Sequence, residues 1–251
     1  MSKVRIASEG DFYHVTTRGV AQQNIFEDDD DREFMLKLLR NSTEKHQVEI
    51  LAWCFMSNHV HLLIHAPLSN VAVFMNSLLS RYARYYNKRH SRSGHLFQER
   101  FYSTPIDTDE YLLVAVRYIH FNPHGIGVKD IERYRWSSYR EYLYGADICN
   151  TTFILKLFDG IGQFKNFHGA PNNDQASYSI VFEAFDTQET PTDDELIAFA
   201  KRVLGIENLS SIAQTNKDER NRMISILKSR LTIQQIVRIT GLGRNVIQRA
   251  K

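Results

Sequence analysis

The stretch QVEILAWCFMSNHVHLLIH, residues 47–65, carries the clearest strand pattern of the chain. Residues 47–56 and 59–65 are rich in β-branched and aromatic side chains, and the short link between them predicts a β-hairpin. Residues two apart on a strand face the same side of a sheet, so His59 and His61 are predicted to share a face, with Cα atoms about 6.5 Å apart. Two imidazoles at that spacing can converge on one metal ion, although a histidine pair on a strand also occurs in ordinary packing.

The sequence on either side of the hairpin alternates between strand and helix patterns. FYHVTTR at 12–18 predicts a strand, and residues 95–106 predict another extended segment. Helices are predicted after the acidic run 27–31, over residues 70–88 and over residues 107–123. The resulting order mixes a hairpin with crossovers. It therefore predicts an α+β fold with a mostly antiparallel sheet and helices on one face.

The helix predicted within 107–123 carries a second polar pattern. It is apolar nearly all round, which indicates burial against the sheet. Tyr111, Val114, Tyr118 and Asn122 follow one side of it at spacings of three, four and four residues. Tyr118 and Asn122 thereby present a phenol and a carboxamide together. In the structural alternative, Tyr118 is a core tyrosine and Asn122 is a helix C-cap. The pattern alone leaves the functional and the structural interpretation open.

Composition and charge narrow the class of protein. The chain of 251 residues is 43% hydrophobic and 24% charged, as in folded proteins. It has no apolar run long enough for a transmembrane helix or a signal peptide, so we expect a cytoplasmic protein without a membrane partner. Cys54 and Cys149 lack metal-site spacing, and Cys54 is predicted to be a small core residue.

Basic residues are concentrated in two segments. Residues 81–100 carry six Arg or Lys against one Glu, and residues 217–251 carry nine against two acids. Basic charge interleaved with tyrosines suits a phosphate backbone and stacked bases, although a solvated helix face is the alternative. The predicted DNA contacts of the first segment are Arg81, Arg84, Lys88, Arg89, Arg92 and Arg100.

Four segments together resemble a known family. YHVTTRG, MSNHVHLLIH, SRYARYYNKRHSRSGHLFQERF and DEYLLVAVRYIHFNP occur in the order and spacing of the single-tyrosine HUH transposases, in particular the REP-associated tyrosine transposases and their IS200-like relatives. The resemblance covers roughly residues 10–145. It implies a ferredoxin-like fold in which His59, His61 and Asn122 bind a divalent ion, usually Mg²⁺ or Mn²⁺. It also implies that Tyr118 is the nucleophile, with Tyr111 as the second choice.

The resemblance further implies an activity and partners. The chain is expected to cleave and rejoin single-stranded DNA near hairpins through a 5′-phosphotyrosine intermediate, in association with the nucleoid. Monomer and homodimer both stay open. A rolling-circle initiator or relaxase would use the same chemistry, although the sequence has no Walker motif. A non-catalytic DNA-binding regulator and a metal-binding module without DNA are the remaining alternatives.

The C-terminal segment predicts a second way to bind DNA. Residues 232–250 have the pattern of a helix-turn-helix, with Thr232 as the first helix cap and Gly241 in the turn. The recognition helix is predicted over 243–250, and a plain helical hairpin is the alternative. The side chains predicted to contact DNA are Arg244, Asn245, Gln248 and Arg249.

The predicted organisation has three parts. Residues 1–148 form the catalytic domain, residues 149–194 form a helical and loop extension with a linker, and residues 195–251 form a small all-helical DNA-binding domain. Within the extension, residues 159–175 and 187–194 are rich in Gly, Pro, Asn and Asp, which predicts loops.

Overall fold

The structure is a computed structural model, and it describes residues 5–98, 100–170, 193–228 and 230–250. The chain divides into two compact units. The first unit comprises the residues up to Pro105 together with Ala115–Gly169, and the second comprises Ile106–Val114 together with the residues from Ala170 onwards.

The first unit is built on a four-stranded sheet. Its strands are β1 (Phe12–Arg18), β2 (Glu49–Phe55), β3 (His59–His65) and β4 (Tyr102–Ile106). Their order across the sheet is β2-β3-β1-β4. Strand β3 is antiparallel to both β1 and β2, so β1 and β2 run parallel and need the crossover helix that the sequence places between them. This arrangement confirms the predicted α+β, ferredoxin-like fold.

Two helices cover one face of the sheet, α1 (Asp29–His46) and α2 (Leu68–Arg89). The acidic run marks the start of α1, because the Asp28 side chain accepts a hydrogen bond from the Asp31 backbone N–H and the first turn is acidic. Alternate residues of the strands and the inner sides of α1 and α2 form the core between helices and sheet. The strands contribute Tyr13, Val15, Phe55, Val60, Leu62 and Ile64, and the helices contribute Met35, Leu39, Phe74, Leu78 and Tyr82.

Helix α3 (Asp109–Phe121) carries the predicted nucleophile. The α-helix ends one residue before Asn122, and residues Asn122–Ile126 continue as a 3-10 helix. Pro123 explains the change, because it has no N–H to donate to the preceding turn. The ring of Tyr118 lies beside His14 and His61, which face away from the α1 and α2 side of the sheet. The sheet therefore meets α1 and α2 on one face and Tyr118 on the other.

Three short helices complete the first unit, α4 (Tyr139–Tyr144), α5 (Thr151–Leu157) and α6 (Ile161–Gly169). The prediction of a loop over 159–175 is wrong for residues 161–169. Phe164 and His168 lie one helical turn apart and are both buried, so tertiary packing outweighs the local glycines. Residues 171–192, where the rest of the predicted linker falls, lie outside the described residues.

The described part of the second unit is helical, as predicted. It contains α7 (Asp193–Leu204), α8 (Lys217–Lys228), α9 (Ile233–Thr240), α10 (Arg244–Arg249) and a 3-10 turn over Leu209–Gln214. The buried apolar residues of its described part include Leu196, Phe199, Ala200, Ile212, Ile224, Leu227, Leu231, Ile236 and Ile247. In the parts of the chain that the structure describes, no helix is both long and apolar enough to cross a membrane.

Candidate active site

Two histidines of β3 open onto the sheet face opposite α1 and α2. His59 and His61 lie two residues apart on the strand, and their ring centroids are 4.8 Å apart with the ring planes at 85°. His61 is completely buried, whereas His59 is half-buried. The pair thus offers two imidazoles on one side of the sheet, and the Nε2 atoms of both are buried.

The hydrogen bond of His59 fixes which ring nitrogen carries the proton. His59 Nδ1 lies 2.6 Å from Asn58 Oδ1. The Asn58 amide nitrogen donates to the Gln22 carbonyl at 3.4 Å, which orients the carboxamide with its oxygen toward the ring. A carboxamide oxygen only accepts, so His59 Nδ1 is the protonated nitrogen. Nε2 is then the lone-pair nitrogen, which is the form of histidine that binds metals.

A third histidine from the neighbouring strand completes the group. His14 on β1 places its Nε2 3.0 Å from His61 Nδ1, and the two ring centroids are 5.2 Å apart. Because Thr16 pairs with His61 and His14 pairs with Leu63, all these side chains share one face. His14 was not among the predicted site residues. The sequence shows which face of β1 His14 lies on, but it does not show the register between β1 and β3 that brings His14 to His61.

Tyr118 lies against this histidine group. Its ring centroid is 5.7 Å from those of both His14 and His61, with edge-to-face angles of 72° and 86°. The side chain of Tyr118 is half-buried. Tyr111, the second choice for nucleophile, is only 1% exposed and belongs to the second unit. Burial therefore favours Tyr118 over Tyr111 for contact with a large substrate.

Asn122 follows directly after α3. Its amide nitrogen donates to the backbone carbonyl of Tyr118 at 3.1 Å. This bond satisfies one of the carbonyls that a helix end leaves without an intrahelical partner. The residue thus acts as a cap, and its Oδ1 is the atom that would serve as a metal ligand.

A buried polar chain lies on another side of α3. His120 Nδ1 is 3.0 Å from His168 Nε2, and His120 Nε2 is 2.9 Å from Ser138 Oγ. Burial lowers the pKa of His168 to about 3 and lowers that of His120 well below its usual value. Both imidazoles are therefore neutral at ordinary pH. His120 is inside the protein with both ring nitrogens hydrogen-bonded, which favours a structural role over that of a proton carrier.

The predicted phosphate contacts of the first unit differ in their surroundings. Arg89 binds three carboxylates, with Nη1 2.6 Å from Asp28 and 2.5 Å from Asp31, and Nη2 3.0 Å from Asp30. These partners raise the pKa of the Arg89 guanidinium and tie the end of α2 to the start of α1. The predicted contacts that are exposed, besides Arg89, are Arg84, Lys88, Arg92 and Arg100, whereas Arg81 is half-buried.

In the second unit, the two short helices α9 and α10 are joined by a turn at Gly241. Thr232 caps α9 through a reciprocal capping box with Gln235, and Gly241 ends that helix at a φ of 69°. Arg244, Asn245 and Arg249 on α10 are exposed, Gln248 is half-buried, and Ile247 packs inward. The polar residues predicted to contact DNA thus lie on the outer side of a short, well-anchored helix.

Comparisons with known proteins found similarities over part of the chain. Residues 10–122 match the family model described as IS200-like transposase. A solved structure of a REP-associated tyrosine transposase bound to a REP hairpin is 18% identical, with a TM-score of 0.46, over 59% of this chain and 88% of that one. A putative transposase from Deinococcus radiodurans R1 is 18% identical, with a TM-score of 0.34, over 45% of this chain and 92% of that one. No curated protein sequence matches the chain.

Proposed function

Because residues 10–122 of the chain belong to the family of IS200-like transposases, we propose that the protein cleaves and rejoins single-stranded DNA near hairpins with Tyr118 as its nucleophile. The observation that carries this proposal is the position of the Tyr118 ring, 5.7 Å from both His14 and His61. The Tyr118 phenol thus lies beside a proposed metal ligand, and a tyrosine hydroxyl activated by a metal can act as a covalent nucleophile.

The proposed reaction uses this chain's own hydroxyl. Tyr118 Oη attacks the scissile phosphorus, the bond from phosphorus to the 3′ oxygen breaks, the phenolic proton is lost and the departing 3′ oxygen takes up a proton. The products are a 5′-phosphotyrosine and a free 3′-hydroxyl. Because the phosphodiester is exchanged rather than hydrolysed, attack by another 3′-hydroxyl reverses the step and joins strands without a nucleotide cofactor.

The donor set fits a divalent ion with open positions. His59 and His61 would supply two imidazole nitrogens and Asn122 an amide oxygen. The bond from His59 Nδ1 to Asn58, 2.6 Å long, is the outer-shell contact that such a ligand needs. A bound divalent ion would stabilise the negative charge that develops on the phosphate. Among the described residues, no group of three His, Cys, Asp or Glu forms a metal site. We infer Mg²⁺ or Mn²⁺ from the family, because imidazoles also suit other metals.

Covalent trapping tests the assignment. The protein is incubated with single-stranded hairpin oligonucleotides and Mn²⁺, and adducts are read on a denaturing gel. Tyr118→Phe should abolish the adduct, whereas the control Tyr111→Phe should keep it. An adduct that survives in Tyr118→Phe and disappears in Tyr111→Phe would move the nucleophile to Tyr111.

The metal is tested with the same gel. His59→Ala and His61→Ala should each abolish the adduct, and excess chelator should abolish it in the wild type until Mg²⁺ or Mn²⁺ is restored. Undiminished cleavage in chelator would contradict a metal-assisted reaction.

We further propose that α9 and α10 bind duplex DNA as a helix-turn-helix. The exposed Arg244 and Asn245, together with Gln248, would face the major groove, where Arg and carboxamide side chains read base edges. The supporting observation is the capped α9 followed by a glycine turn and the short helix α10, which is the order of elements in a helix-turn-helix. This proposal concerns the second unit alone.

The duplex-binding proposal is tested by selecting a preferred duplex from a random pool. Arg244→Ala should weaken binding to it by about 1–3 kcal/mol and change binding to scrambled duplex little. Arg222→Ala, an exposed arginine of α8, is the matched control. Equal losses on both duplexes would indicate phosphate contact only, and no loss would leave α10 without a role in DNA binding.

A further inference from the structure

His14 is held against His61 by the geometry of the sheet. The two rings come from neighbouring strands, lie nearly parallel at 23° and approach to 3.0 Å between His14 Nε2 and His61 Nδ1. His14 is 1% exposed and His61 is fully buried. A hydrogen bond in such a site is protected from competition with water, so it constrains both rings strongly.

We propose that His14 is a positioning residue that orients His61 as a metal ligand; this inference rests on the proposed function. Only one of the two facing nitrogens can carry the shared proton. If the proton is on His61 Nδ1, this nitrogen donates a hydrogen bond to His14 Nε2. His61 Nε2 is then the nitrogen that can bind the metal. Metal-binding histidines depend on an acceptor of this kind to fix their tautomer and ring orientation.

The two proposed ligands, His59 and His61, therefore donate their ring N–H to different acceptors. His59 donates to the carboxamide of Asn58, its neighbour in the chain. In the proposed tautomer, His61 donates across the sheet to His14, which lies 47 residues earlier in the sequence. The His14 ring also contacts Tyr118 edge-on. His14 thus touches both the ligand and the nucleophile without taking part in bond making, and it fixes the spacing between them.

The chain offers a matched control for a change at His14. His65 lies on β3 as His61 does, and its ring stacks on Phe12 with the centroids 4.3 Å apart. Its Nδ1 lies 3.3 Å from Glu49, so it too makes one side-chain hydrogen bond. His65→Phe therefore removes an imidazole of the same sheet that does not contact a predicted ligand, and His65 is half-buried whereas His14 is buried.

The test measures Mn²⁺ binding to the full chain without DNA, by calorimetry or by the electron paramagnetic resonance of free Mn²⁺. His14→Phe should weaken Mn²⁺ binding by about 10-fold to 100-fold, in line with losses of outer-shell partners. His14→Gln, whose carboxamide oxygen can accept the same proton, should recover most of the affinity. His65→Phe should bind Mn²⁺ as the wild type does.

Nitrogen NMR of the histidine side chains gives a readout that does not depend on metal. In the metal-free wild type, His61 should be protonated at Nδ1, and in His14→Phe this preference should weaken. Equal Mn²⁺ affinity and an unchanged His61 tautomer in a folded His14→Phe would overturn the role of His14. If His14→Phe does not fold, a His14→Gln protein with wild-type affinity and tautomer supports the role, and one with weak binding despite a native fold overturns it.

The two proposals can fail separately. A wild-type protein that binds no Mn²⁺ would contradict the metal part of the proposed function, and the tautomer of His61 would then decide the role of His14 alone. Normal Mn²⁺ binding by both wild type and His14→Phe would leave the proposed function intact.

Discussion

Acid should destabilise the first unit through the buried imidazoles behind α3. Burial lowers the pKa of His168 to about 3 in the folded protein, against 6.5 for an ordinary histidine. The folded state therefore binds fewer protons than the unfolded state between these two values. Stability is complete above pH 6.5 and is lost as the pH falls from 6.5 toward 3.

The size of the effect follows from the same values. One pH unit in this window costs about 1.4 kcal/mol for each histidine that stays neutral only in the folded state. At pH 5, which is about 1.5 units below the reference value, His168 alone should lower the free energy of unfolding by about 2 kcal/mol. His120 shifts in the same direction and adds to the loss.

Urea unfolding at pH 7.5 and pH 5.0 measures this loss. Both tryptophans of the chain, Trp53 and Trp136, lie in the first unit, so their fluorescence reports on that unit. His168→Gln keeps a polar group without a titrating one, and it should reduce the loss between the two pH values by about 2 kcal/mol. His95→Gln, at an exposed position, should leave the loss unchanged. An equal pH dependence in the wild type and His168→Gln would show that protonation of His168 does not cause the loss of stability.

Three further predictions follow from other contacts. Glu141→Gln should lower the free energy of unfolding by about 2–4 kcal/mol. The Glu141 carboxylate accepts four hydrogen bonds, and the amide nitrogen of a glutamine would face some of the same donors. An unchanged urea midpoint would contradict this prediction. Gly19→Ala should cost about 1–3 kcal/mol, since a Cβ there would lie 2.3 Å from the Gln23 carbonyl oxygen; thermal unfolding measures the loss, and an unaltered Tm would count against the close approach. Arg84→Gln should reduce the salt dependence of DNA binding by about one phosphate contact, whereas Arg89→Gln should mainly reduce stability; the reverse result would make Arg89 a DNA contact.

The strands were predictable where β-branched and aromatic side chains are concentrated. The strand predicted at 12–18 and the one at 59–65 have the observed bounds, because segments rich in such residues favour an extended backbone. The extended segment predicted over 95–106 is a strand only from Tyr102. Before that point the chain meets β1 at an isolated bridge between Phe97 and Gly19, and this pairing depends on tertiary structure rather than on local pattern.

The site was predictable only in part for the same reason. His59 and His61 share a face by strand parity, and Tyr118 and Asn122 are linked by helical spacing. The approach of His14 to His61 and the capture of Arg89 by three carboxylates join residues far apart in sequence. One sequence shows which side chains share an element, but not which elements meet or in what register.

The turn before His59 is held by the loop that follows β1. Backbone N–H groups of Gly19, Ile25 and Phe26 donate to the carbonyls of Ser57 and Asn58 at 2.8–3.1 Å. Main-chain contacts of this kind persist when side chains change. Side chains at residues 20–23 can therefore be changed while the turn before His59 keeps its main-chain support.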